Sequence, residues 1–160
     1  MAVTVKHLLE QNYMARVRVA CGEDRLANRV EGLTFFRDAC QYGVSRNNLV
    51  LAVEEELKGR GTEELDQLAE TFLNQKVSAV IVKTEAEHSD EEKRLTGVFA
   101  GHRLPLLFFS GDIFYSSLIR GIEYDLIYSQ GYNMSNPYAV SYTHLSLRYR
   151  ISGRRSFPLS

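Results

Sequence analysis

Four short polar segments follow apolar runs in this chain: Phe36-Arg37-Asp38, Glu54-Glu55-Glu56, Lys83-Thr84 and Ser110-Gly111-Asp112. Between them they offer the groups that hold a small polar ligand. Arg37 and Lys83 are cations. Asp38, Glu54 and Asp112 are carboxylates, and Thr84 and Ser110 are hydroxyls. Gly111 precedes a predicted helix, whose first amides would favour an anionic part of the ligand. These eight residues form the expected ligand site. The plainer alternative is a set of solvated loop ends, which every α/β domain has.

Other chemistry finds less support. Glu54-Glu55-Glu56 is a charge run without the Asp-x-Asp-x-Asp-Gly frame of a calcium loop. His7, His88, His102 and His144 have no His-x-x-x-His spacing, so no metal is expected. Cys21 is read as following a strand and Cys40 as lying in a loop, with no Cys-x-x-Cys and no nucleophile elbow around either. Gly59-x-Gly61 lacks the third glycine of a dinucleotide fingerprint, and no Gly-x-x-x-x-Gly-Lys occurs. Asn133-Met134-Ser135 matches a glycosylation acceptor, which has no meaning in a cytoplasmic chain. No catalytic residue and no cofactor are expected.

The elements that must position the polar segments follow from periodicity. Thr4 is a helix N-cap before Val5, Leu8 and Leu9, which share a face. Ala15 to Ala20 alternates strictly and predicts a half-buried strand with Arg16 and Arg18 on its wet side. A second strand is predicted through Val30 to Phe35. Leu49 to Val53, Val77 to Val82 and Leu106 to Phe109 are short unbroken apolar runs, the mark of strands covered on both faces. Between them Thr62 caps a helix with the stripe Leu65, Leu68, Ala69, Phe72 and Leu73. Ser89 or Asp90 caps another, with Leu95, Val98 and Phe99 inward. A closing helix carries Tyr115, Leu118, Ile119, Ile122 and Leu126 on one face. Strands alternating with helices predict a parallel sheet, with the two earlier strands added at one edge. Ligands of such sheets sit beyond the carboxyl ends of the strands, where the four polar segments fall.

The chain has 160 residues, enough for one domain with a core. No run of about 18 apolar residues offers a membrane span, and Met1 to Glu10 has no secretory pattern. Two cysteines cannot make a disulfide framework, which points to a reducing cytoplasm. There are 19 basic and 20 acidic residues. Arg148, Arg150, Arg154 and Arg155 all fall after Pro137, where there is no acid. Setting these four aside leaves 15 against 20, so residues 1–136 carry −5. An acidic body does not neutralise a phosphate backbone.

The ordered passages of the body resemble the N-terminal domain of the purine catabolism regulator (PucR-like) family of bacterial transcription regulators. Val3-Thr4-Val5-Lys6-His7-Leu8-Leu9 is similar to the family's opening "T-V-x-D-L-L". Val19-Ala20-Cys21-Gly22-Glu23-Asp24-Arg25-Leu26 and Asn28-Arg29-Val30 resemble its "V-x-A-G-x-x-G-L-x-R-x-V". Arg46-Asn47-Asn48-Leu49-Val50-Leu51 stands where the family has "G-G-E-L-V-L". Val77 to Val82 resembles "G-V-A-A-L-V-V", Leu104-Pro105-Leu106-Leu107 resembles "I-P-L-I", and Phe114 matches the aromatic opening the closing helix. The likeness runs from about Val3 to Leu126. Asn47-Asn48 replaces the family's Gly-Glu, and the family's acid at His7 and its glycine near Arg25 are not present.

The resemblance implies a sensory input domain, followed in such regulators by a middle domain and a helix-turn-helix. This chain contains neither, so it is read as a fragment that does not itself bind nucleic acid. The implied partners are a purine-related metabolite and a second copy in a homodimer, with no membrane. The implied role of Tyr115, Leu118, Ile119, Ile122 and Leu126 is a signal-output helix. A ligand-free dimerisation or interaction module is the alternative. A nucleotide-sugar-binding domain similar to the N-terminal domain of Mur ligases ranks below both. The expected fold is a single α/β domain over residues 1–130, with a mixed, mostly parallel sheet of about five strands flanked by helices. Residues 137–160 are expected to be an irregular tail. Ala139 to Leu145 resembles a translated adaptor junction, so the tail reads as non-native or disordered.

Overall fold

A computed structural model describes residues 2–110 and 115–129. The residues assigned to the tail, and Gly111, Asp112 and Phe114, lie outside the described residues. The elements run in the order α1 (Val5–Leu9), β1 (Arg18–Cys21), β2 (Gly32–Phe35), α2 (Phe36–Tyr42), β3 (Asn48–Val53), α3 (Glu54–Lys58), α4 (Thr62–Asn74), β4 (Ala79–Thr84), α5 (Asp90–Ala100), β5 (Leu106–Ser110) and α6 (Tyr115–Ser129). Single 3-10 turns precede β1 and follow it.

The five strands form one sheet in the order β1-β5-β4-β3-β2. β2, β3, β4 and β5 are parallel, and β1 runs antiparallel to β5. The two early strands therefore close opposite edges of the sheet, whereas the sequence reading placed both at one edge. The short chain from α1 to β1 carries β1 to β5, and β2 leads through α2 directly into its parallel neighbour β3.

Side-chain alternation along the central strands separates two cores. Val50, Ala52, Val80, Val82, Leu106 and Phe108 face one way, against Phe36, Leu57, Leu65, Phe72, Leu95 and Phe99 from α2 to α5. Leu49, Leu51, Ala79, Ile81, Leu107 and Phe109 face the other, against Val5 and Leu8 of α1 and Leu118, Ile122 and Leu126 of α6. The result is a three-layer helix–sheet–helix domain. It explains why these strands read as unbroken apolar runs rather than alternating ones.

Local differences from expectation have local causes. The strand predicted from Ala15 begins at Arg18, because Asn12–Met14 form a 3-10 turn that buries Met14. Cys21 ends β1 rather than following it, and Cys40 lies in α2 rather than in a loop. Thr62 is the first residue of α4, with Gly61 at the cap position. The Glu54-Glu55-Glu56 run opens α3, where three carboxylates suit the positive end of a helix. Thr4 and Ser89 cap as expected, accepting from the His7 and Glu92 amides.

α6 is also held against the 3-10 turn that precedes β1. The Tyr13 ring lies so close over Gly121 that a Cβ there would stand 2.5 Å from it. The Tyr13 hydroxyl donates to Asp125 Oδ2 at 2.5 Å. Burial first, and the Asp125 carboxylate second, push the Tyr13 phenol well above its ordinary range. Gly121→Ala is expected to cost about 1–3 kcal/mol through overpacking, seen as a lower denaturation midpoint at unchanged slope. An unchanged midpoint would mean that Tyr13 is not seated on Gly121.

Candidate functional site

The parallel register brings the carboxyl ends of three strands level. Val53 aligns with Lys83, and Lys83 with Phe109, so Glu54, Thr84 and Ser110 follow in one row. All three are buried, at 6%, 1% and 8% exposure. A row of buried polar side chains calls for partners from within the fold, and Glu54 and Thr84 have them. Glu54 Oε1 accepts the Glu85 amide at 3.1 Å, and its other oxygen lies 4.0 Å from Lys58 Nζ. Thr84 donates its hydroxyl to Glu92.

Glu92 is the centre of this edge. It sits in the first turn of α5 and is 3% exposed. Arg18 of β1 reaches it with both terminal nitrogens, at 3.1 and 2.8 Å, and the His88 amide donates to it at 2.8 Å. Burial raises the carboxyl of Glu92, but the bonds from Arg18, Thr84 and His88 outweigh it, and the net direction is downward. Glu92 is thus held ionised and is a poor proton acceptor, an anchor rather than a base. Arg18, expected on the wet side of its strand, is instead bound into this cluster. The sequence carried one signal for it: Ser89-x-x-Glu92 is a helix-start pattern that places an acid at the third helical position.

The expected ligand residues divide between the two faces. Lys83 is half-buried and, by alternation with Val82 and Thr84, lies on the face of α1 and α6. Arg37 and Asp38 are exposed on α2, which packs on the other face. Arg37 and Lys83 therefore approach the carboxyl edge from opposite faces of the sheet. Glu54, Thr84 and Ser110 lie between them in the buried row. Gly111 and Asp112 lie outside the described residues. Beside Arg37 is an open cavity of about 510 Å³, lined by Phe36, Arg37, Cys40, Gln41, Glu56 and Arg60. Arg60 lies over the Phe36 ring at 5.1 Å and bonds Glu56 O and Glu64 Oε2.

The cysteines are not activated. Burial, and then Glu23, push the Cys21 thiol up to about 11. Burial likewise raises Cys40 against the opposing pull of Arg60. Both are weaker thiolates than a free cysteine at neutral pH. Among the described residues no group of three or more His, Cys, Asp or Glu could hold a metal ion, and no helix is long and apolar enough to cross a membrane. No protein-family model and no curated protein matches this chain.

Glu92→Gln is expected to cost about 3 kcal/mol, since it leaves the Arg18 guanidinium with an uncharged partner in a half-buried site. The pH dependence follows from the sign of the shift. The folded carboxyl of Glu92 titrates below its ordinary value of 4.5. Its contribution is therefore complete above that value and is lost as the pH falls through the folded one. Acid denaturation followed between pH 6 and 2 should be less steep in Glu92→Gln than in the parent, and equal slopes would remove Glu92 from the account.

Proposed function

We propose that this domain is a regulatory, sensory input module of a transcription regulator of purine or related nitrogen catabolism, acting in the cytoplasm and without DNA binding of its own. The reading is non-enzymatic. A purine-related metabolite at the carboxyl edge of the sheet would shift the balance between two settings of α6. α6 is the output element because it is joined to that edge at one end and open to other surfaces along its length.

The observation that carries this reading is the seating of α6. Its first residue, Tyr115, lies against Phe109 with ring centroids 5.4 Å apart, and its hydroxyl donates to Ala52 O at 3.3 Å. Tyr115 therefore touches two of the strands whose ends form the edge. The inward stripe of Leu118, Ile122 and Leu126 is buried, with Ile119 partly so. On the outer side Tyr124 and Tyr128 are 45% and 66% exposed, with rings 4.5 Å apart. A change at the edge reaches Tyr115 directly, and the tyrosine pair is where a second surface would read it.

The same tyrosine pair favours the second reading, a ligand-free module that dimerises through α6. A panel of purines and their degradation products, read by thermal shift, separates the two. Stabilisation by at least one member, reduced in Lys83→Gln, is the expected outcome. No shift from any member, together with concentration-dependent association that Tyr124→Ser and Tyr128→Ser abolish, would replace sensing with dimerisation.

A further inference from the structure

At the opposite edge of the sheet, where β3, β4 and β5 begin, four connections meet around a cleft of about 350 Å³. We propose that this cleft binds a small oxyanionic metabolite, one bearing a carboxylate or phosphate, through Arg25 and Lys76 with the Asn47 and Asn74 side-chain amides.

The charge distribution carries the inference first. Arg25 and Lys76 both line the cleft, and no described carboxylate does. Neither cation forms an ion pair with a described residue, although residues 1–136 carry −5. Asp24, the acid nearest Arg25 in sequence, bonds Arg103, and the charge of Arg25 adds to the pull that lowers its carboxyl without an ion pair between them. Two cations left together in an acidic body form a local positive field that an anion would neutralise. The remaining polar lining is amide and hydroxyl, which suits a ligand with several acceptor oxygens.

The walls are built to stay in place. The Asn47 amide donates to Lys76 O at 2.9 Å, the Glu31 amide to Asn47 O at 2.7 Å and the Ser78 amide to Asn48 O at 2.9 Å. Asn28 donates to Ser78 O at 3.1 Å, and the Ser78 hydroxyl to Arg29 O. Asn47 and Lys76 have φ of 65° and 64°, the left-handed conformation, which is uncommon for a lysine. At Lys76 this conformation closes α4: the Val77 amide donates to Phe72 O at 3.0 Å and the Lys76 amide to Leu73 O at 3.1 Å. A preformed cleft does not lose affinity to ordering on binding.

The probes are inorganic phosphate and succinate, titrated into the full chain at constant ionic strength and followed by backbone amide NMR, which also reports whether each variant is folded. Saturable shifts at Asn47 and at Lys76 to Ser78, below about 10 mM for at least one anion, are expected. Response to phosphate alone would identify a phosphate-bearing ligand, and response to succinate alone a carboxylate. Arg25→Gln, and Lys76→Asn, which tolerates the left-handed backbone, should each weaken binding by about tenfold. Lys83→Gln, at the other edge, should leave it unchanged, so this site and the carboxyl-edge reading fail separately. Absence of shifts with both anions in a folded sample would overturn the proposal, as would binding unaffected by the two cleft substitutions.

Discussion

One buried carboxylate joins the antiparallel edge strand to the parallel body. The Glu92 carboxylate is reached from three places, Arg18 in β1, Thr84 at the end of β4 and the His88 amide, while its own backbone amide donates to the Ser89 cap. These belong to segments as far as 74 residues apart in the chain. A buried ionic group of this kind does not add net stability over an apolar replacement by default, but removing one partner is costly. Its effect is therefore on arrangement. It fixes which strand lies beside β5 and how α5 sits across that strand, and it commits the carboxyl edge to structure. Arg18 also lies over the Phe108 ring at 5.9 Å, so its position is set from the sheet as well.

That commitment changes what the carboxyl edge can do. Open α/β sheets present ligands with the ends of their strands. Here Glu54, Thr84 and Ser110 are buried in a row, and the first two are engaged in bonds to neighbouring segments. Among the described residues, Arg37 and Asp38 on one face and Lys83 on the other form no ion pair. Around α3 the same economy holds: Arg94 of α5 donates to Leu57 O and Arg60 O, satisfying carbonyls at that helix end. The amino edge differs. Its loops are tied by backbone bonds, which leaves the side chains of Arg25 and Lys76 without ion pairs among the described residues. The two edges thus differ in how their polar groups are engaged: side chains bond one another along the carboxyl edge, and backbone bonds tie the loops of the amino edge.

Much of the architecture was legible in the sequence. The apolar runs Leu49 to Val53 and Leu106 to Phe109 became central strands because burial on both faces removes alternation. The stripes of α4, α5 and α6 became inward faces, since a 3.6-residue period has one way to meet a sheet. The short helices α2 and α3, of seven and five residues, were not legible, because less than two turns leaves too little periodicity. The pairing of Arg18 with Glu92 was hidden by distance along the chain. Alternation correctly placed Arg18 among residues of a half-buried strand, but nothing local reveals the acid that would meet it. The faces taken by Arg37 and Lys83 were hidden too, because strand ends can be inferred from sequence while the face of the sheet that each side chain takes depends on register.

The claim that Arg18 and Glu92 act as one unit is tested most directly by a double-mutant cycle of Arg18→Met and Glu92→Gln, with unfolding free energies measured by denaturant at neutral pH. Residues sharing a buried network couple by about 0.5–3 kcal/mol. The account predicts a coupling near the upper half of that range, with the double variant more stable than the sum of the single losses implies. Additive losses, with coupling near zero, would mean that the edge strand is held by its backbone ladder alone and that Glu92 is not the join.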